Sequence, residues 1–127
     1  MNTVIFVIDD DDFTAIHVES IIEDHYQIEH FASAEQGIEA ALKSPPSLIL
    51  MDVSMPVMDG YTACRSLKKN PLTHDIPVIF LSALSEVGDR LAGYDAGGDD
   101  YVTKPFNPEE LMDVLDYYFN LLNALKI

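Results

Sequence analysis

Four segments of this chain each deliver a polar side chain at their carboxyl end. Asp9 and Asp10 follow the apolar run Val4–Ile8, Asp52 follows Leu48–Met51, Ser82 follows Val78–Leu81, and Lys104 closes Asp100–Lys104. If those segments lie side by side, carboxylates, a hydroxyl and an ammonium meet at one edge. Crowded carboxylates repel one another, so they either hold protons or gather a cation. Magnesium suits such a cluster, because it prefers oxygen ligands and binds through one or two carboxylates together with phosphate oxygens. With a lysine and a hydroxyl beside it, the site fits phosphoryl transfer, in which charge on the phosphoryl oxygens must be offset by cations and hydrogen-bond donors. Asp52 stands by itself at the end of its run, and a carboxylate can serve as nucleophile by becoming an aspartyl phosphate. No thiolate or imidazole cluster competes: Cys64 is single, and His17, His25, His30 and His74 are scattered without ligand spacing, so they read as surface or packing residues.

The elements that would position these groups are legible. Val4–Ile8, Leu48–Met51 and Val78–Leu81 are too short for helices and too continuous for half-exposed strands. They read as strands buried on both faces, the habit of parallel sheets. Gln27–Phe31 and Asp100–Lys104 are weaker strands suited to sheet edges. Between them lie helical patterns. Ala15, Val18 and Ile22 share a face of the first; Ser33 and Gln36 form a capping box for the second, which stops at Ser44-Pro45-Pro46. The third runs from about Asp59 through Tyr61, Cys64 and Leu67, with Lys68 and Lys69 in its last turn, and ends at Asn70-Pro71. The fourth, from near Ser85, is weakened by Gly88 and Gly93, each costing about 1 kcal/mol relative to alanine. In the fifth, Asn107 is the cap, Pro108 the first residue, and Leu111, Val114, Leu115, Tyr118, Leu121 and Leu122 keep the helical period. Strand and helix thus alternate five times. That order predicts an α/β fold, a parallel sheet wound by helices on both faces, with ligands at the carboxyl ends of the strands.

With 127 residues and 48% hydrophobic content, the chain suits one domain spanning 1–127. Seven basic against 22 acidic residues give a net charge of −15, which argues against direct nucleic-acid or membrane-surface binding. No apolar run approaches the roughly 18 residues of a membrane span, and the single cysteine fits a reducing compartment, so a cytoplasmic protein is expected.

The stretches VIDDDD, LILMDVSMPVMDG, VIFLSA and DDYVTKPF, in this order and spacing, resemble the receiver domain of two-component response regulators over essentially the whole chain. The resemblance implies a flavodoxin-like fold with strand order 2-1-3-4-5. It implies that Asp52 is the phosphoacceptor, Asp10 a direct magnesium ligand, Asp9 an acidic ligand acting through water, and Ser54 the residue whose backbone carbonyl reaches the metal. It makes Ser82 the hydroxyl that moves toward the phosphoryl group, Lys104 the salt-bridging cation, Lys104-Pro105 a cis peptide, and Tyr101 the switch aromatic. It further implies a phosphohistidine donor on a sensor histidine kinase or histidine phosphotransfer domain, and an output domain or partner read through the fourth helix, fifth strand and fifth helix. A phosphorylation-dependent dimer is compatible with it. Ser54 and Leu84 occupy the variable positions that tune phosphoryl lifetime.

Plainer readings apply to other residues. Asp11 and Asp12 are an acidic helix start, Asp59-Gly60 a turn, Met51, Met55 and Met58 packing residues, and Asp99 and Asp100 solvated loop charges. Two rival functions remain open to the sequence. A metal-dependent phosphatase with an aspartyl nucleophile would want a second aspartate where Ser54 stands. A flavin-binding protein would want a hydroxyl-rich phosphate loop where the acidic run lies.

Overall fold

The computed structural model describes residues 3–83 and 87–125, with the side chains of residues 87–89 and 122–125 outside the description. The continuous apolar runs become β1 (Val4–Ile8), buried from Ile5 on, and the fully buried strands β3 (Leu48–Asp52) and β4 (Val78–Ser82). The weaker runs become β2 (Gln27–Phe31) and β5 (Asp100–Thr103). All neighbours pair in parallel in the order β2-β1-β3-β4-β5, so the two weaker strands are the edges, as their composition predicts. This is the flavodoxin-like doubly wound arrangement that the resemblance implies.

Successive residues of a strand face opposite sides of the sheet, and this parity sorts the core. Phe6, Ile8, Ile49, Met51, Val78 and Phe80 face α2 (Ala34–Lys43), α3 (Gly60–Lys69) and α4 (Val87–Asp95). Ile5, Val7, Leu48, Leu50, Ile79 and Leu81 face α1 (Asp12–Ile22) and α5 (Pro108–Leu125). Ala15, Val18 and Ile22 form the buried face of α1, and the methionines after β3 pack into or against the core.

Caps set the helix starts. Asp11 accepts from the Phe13 N–H, Ser33 from Gln36 and Asp59 from Thr62, while Asn107 accepts from the Glu109 and Glu110 N–H groups. Leu121 keeps the α5 period as expected and is 43% exposed, unlike the buried Leu111 and Leu115. One expectation is corrected. Asp99 and Asp100 are not merely solvated. Asp99 Oδ2 accepts from the backbone N–H of Val78 at 2.8 Å and pairs with Lys68 at 3.3 Å, and Asp100 accepts from the Tyr101 N–H. Leu84 and Ser85 lie outside the described residues, as does the side chain of Leu122.

Candidate functional site

Strand register assembles the site. Ile8 is level with Met51, Asp52 with Leu81, and Ser82 with Thr103, so Asp9, Asp52, Ser82 and Lys104 all emerge at the carboxyl edge of the sheet. They line one cleft of about 290 Å³ together with Asp10, Asp11, Val53, Ser54 and Ala83. Every residue expected at the carboxyl edge is therefore in one place; Tyr101 and Pro105 do not line this cleft.

Asp9 is fully buried, and both its oxygens are engaged. Oδ1 accepts from the Asp11 N–H at 2.9 Å and Oδ2 from the Lys104 ammonium at 2.8 Å. Lys104 also donates to Asp52 Oδ1 at 3.1 Å, so one cation bridges two carboxylates. Burial alone would lower the lysine pKa, but its bond to Asp9 and the charges of Asp52 and Asp9 outweigh this and raise it. Asp52 is pushed up to about 6, first by burial and then by the charge of Asp9, with Lys104 pulling the other way. The protein thus holds the Asp52 carboxylate in surroundings that Lys104 only partly neutralises.

The acids fit a divalent cation. Asp9, Asp10 and Asp52 can each bring an oxygen to within 4.8 Å of the others, and all are hard donors of the type magnesium selects. Three carboxylates against one ammonium leave two negative charges, which a divalent ion would cancel.

Several supporting residues escape sequence reasoning. His30, expected to be a bystander, donates from Nε2 to the backbone carbonyl of Asp9 at 2.8 Å and so braces that loop. Gly60 is more than a turn residue: a Cβ there would lie 2.2 Å from the Asp52 carbonyl oxygen, so only glycine lets α3 start directly against the strand end. Val57 has φ 71° and is 97% exposed. A β-branched residue in that region is strained, and strain of this kind gathers at functional loops.

Cys64 is buried among apolar side chains, which raises its thiol pKa to about 11 and leaves it an inert packing residue. The Lys104-Pro105 peptide is cis. Tyr101 is turned inward and only 5% exposed, against Phe80, Tyr94 and Arg90, and its hydroxyl is hydrogen-bonded to that of Tyr61. Gly93 has a steric role beyond weakening α4, since a Cβ there would lie 2.5 Å from the Tyr101 hydroxyl.

The family model of the response regulator receiver domain matches residues 5–116. Among curated proteins, the chain is 38% identical over 112 residues to the DNA-binding dual master transcriptional regulator RpaA of a Synechocystis strain, a match covering 85% of this chain and 45% of RpaA. The chain spans less than half the length of the first curated relatives it matches. Among solved structures, the response regulator DrrB of Thermotoga maritima, an OmpR/PhoB homologue, superposes with TM-score 0.85 at 32% identity, covering 94% of this chain and 54% of DrrB. The receiver domain of a sensor histidine kinase from Pseudomonas aeruginosa, with a magnesium ion coordinated in its active-site cleft, gives TM-score 0.86 at 29% identity over 94% of this chain and 99% of that one.

Proposed function

The chain belongs to the response regulator receiver domain family, and from that premise we propose that Asp52 is its phosphoacceptor, taking a phosphoryl group from a phosphohistidine in a magnesium-dependent reaction. The observation that carries the proposal is the shared lysine. Lys104 bridges Asp9 and Asp52 inside a cleft that remains net negative, so the nucleophilic carboxylate is oriented but not neutralised. Asp9, Asp10, Asp52 and the backbone carbonyl of Ser54 would hold the metal. When bound, a divalent ion supplies countercharge for the phosphoryl oxygens.

This chain's own groups do the rest. Asp9 has both oxygens taken by Asp11 and Lys104, which suits a ligand acting through water. Asp52 attacks phosphorus through a carboxylate oxygen, and the bond between phosphorus and the donor imidazole nitrogen breaks. The product carries about −1.5 to −2 charge, by analogy with other phosphorylated side chains. Lys104 and the hydroxyl of the buried Ser82, which line the same cleft, would answer that charge, and their shift would bias Tyr101 toward its inward arrangement and remodel the surface of α4, β5 and α5. The donor would be a sensor histidine kinase or a histidine phosphotransfer domain in the cytoplasm, and the reader an output domain or separate protein. This is a signalling role. The family match favours it over the aspartyl-nucleophile phosphatase.

Incubation with acetyl phosphate and magnesium, followed by intact-mass measurement, tests the assignment. One phosphoryl adduct is expected in the wild type and none in Asp52→Asn. An unchanged wild-type mass, or an adduct that survives the substitution, would count against it.

A further inference from the structure

The paired hydroxyls of Tyr61 and Tyr101 serve none of the roles assigned above. We propose that Tyr61 is a positioning residue for Tyr101: its hydroxyl clasps that ring in the inward arrangement and ties it to the backbone carrying Asp52. The proposal rests on the receiver reading of Asp52 and Tyr101 and deepens it by adding a route between them that bypasses Ser82.

At one end of the route, Tyr61 follows Gly60 on the first turn of α3. The Gly60 N–H donates to the Val53 carbonyl at 2.9 Å, and the Gly60 Cα faces the Asp52 carbonyl so closely that no Cβ would fit. The start of α3 therefore moves with the end of β3. The Tyr61 ring then meets Phe80 edge-on, with centroids 5.0 Å apart, and its hydroxyl reaches that of Tyr101 on the far side. Phe80 is itself a fixed wedge, since a Cβ on Gly98 would lie 2.2 Å from its ring.

At the other end, Tyr101 lies 5.3 Å from Phe80, centroid to centroid, with Gly93 under its hydroxyl and the Arg90 guanidinium 5.7 Å from its ring centre. A hydroxyl brought into so enclosed a place needs hydrogen-bond partners, and Tyr61 supplies one. An outward rotation of Tyr101 would break that bond and release β5 from the start of α3. The bond therefore stabilises one arrangement of Tyr101 selectively. A ligand that favours this arrangement binds more weakly as its population falls.

Tyr61→Phe keeps the ring against Phe80 and removes only the hydroxyl. The probe is beryllofluoride with magnesium, titrated into the whole chain, with the Tyr101 ring resonances followed in tyrosine-labelled protein. Apparent affinity should fall about three- to tenfold, the worth of one neutral hydrogen bond, and the Tyr101 signals should shift or broaden before any probe is added. Tyr101→Phe should lower affinity at least as much, and the losses should be less than additive in the double variant, because one bond joins the two hydroxyls. Unchanged affinity with unmoved Tyr101 signals, or strictly additive losses, would overturn the clasp while leaving the receiver reading intact. A wild type that takes up no beryllofluoride would overturn the receiver reading and the clasp with it.

Discussion

The two ends of the sheet each hold aspartate and lysine in contact, with opposite results. At the amino end, Asp99 takes the Val78 N–H and the Lys68 ammonium, and Lys68 also donates to the carbonyls of Ile76 and His74. One carboxylate meets one cation and a backbone donor, which ties α3, β4 and the start of β5 together. At the carboxyl end, Lys104 is divided between Asp9 and Asp52 beside a third acid, Asp10, and the Asp52 pKa is driven up to about 6. The first assembly is electrostatically closed. The second is left wanting positive charge, a deficit that a divalent cation would fill. Identical residue types thus make a closed brace or an open, net negative cluster according to how many acids share each lysine.

Lys104→Met should produce the largest effect that separates the two ends. It should slow phosphorylation by acetyl phosphate by about 100-fold or more, since it removes a preorganised cation from the place where charge accumulates. Lys68→Met should leave that rate within about twofold. Comparable losses in both would break the contrast. Next in size, Asp99→Ala should lower unfolding free energy in urea by about 1–3 kcal/mol, because a half-buried N–H loses its acceptor, while phosphorylation persists.

A smaller effect concerns pH. In metal-free protein, folded Asp52 keeps its proton to about pH 6, whereas an ordinary aspartate releases it near 3.8. The folded state therefore binds more protons across that window, and stability falls as pH rises through it, on the order of 1–2 kcal/mol from this group. Asp52→Asn should remove that slope in denaturation measurements between pH 4 and 6, and a slope retained in full would show that the carboxylate is not held as described. The smallest change expected is at the loop beside the cleft: Val57→Gly relieves the positive φ and should raise stability by up to about 1 kcal/mol.

The sheet and the polar groups gathered at its carboxyl edge were legible in the sequence for one physical reason. Strands buried on both faces must be apolar throughout, so the polar residue ending each run marks the carboxyl edge. Asp9, Asp52 and Ser82 announce themselves in that way. The supporting residues do not, because their roles depend on neighbours distant in the chain. His30 braces Asp9 from the next strand, Asp99 serves the first residue of β4, and Tyr61 meets Tyr101 across Phe80. Glycine misleads most easily. Gly93 reads as a weak point of α4 from propensity alone, yet a side chain there would collide with Tyr101. Leu121 shows the opposite limit, since periodicity identifies a helix face without saying how far along the helix that face stays covered.

The central claim, that the carboxyl-edge acids gather a divalent ion so that Asp52 can become an acyl phosphate, is tested most directly by a crystal structure with magnesium and beryllofluoride. The account predicts beryllium bonded to an Asp52 oxygen, an ion between Asp10, Asp52 and the Ser54 carbonyl, and Lys104 and Ser82 turned to the fluorides. Beryllium bound to another residue, or an Asp52 side chain directed away from any ion, would contradict it.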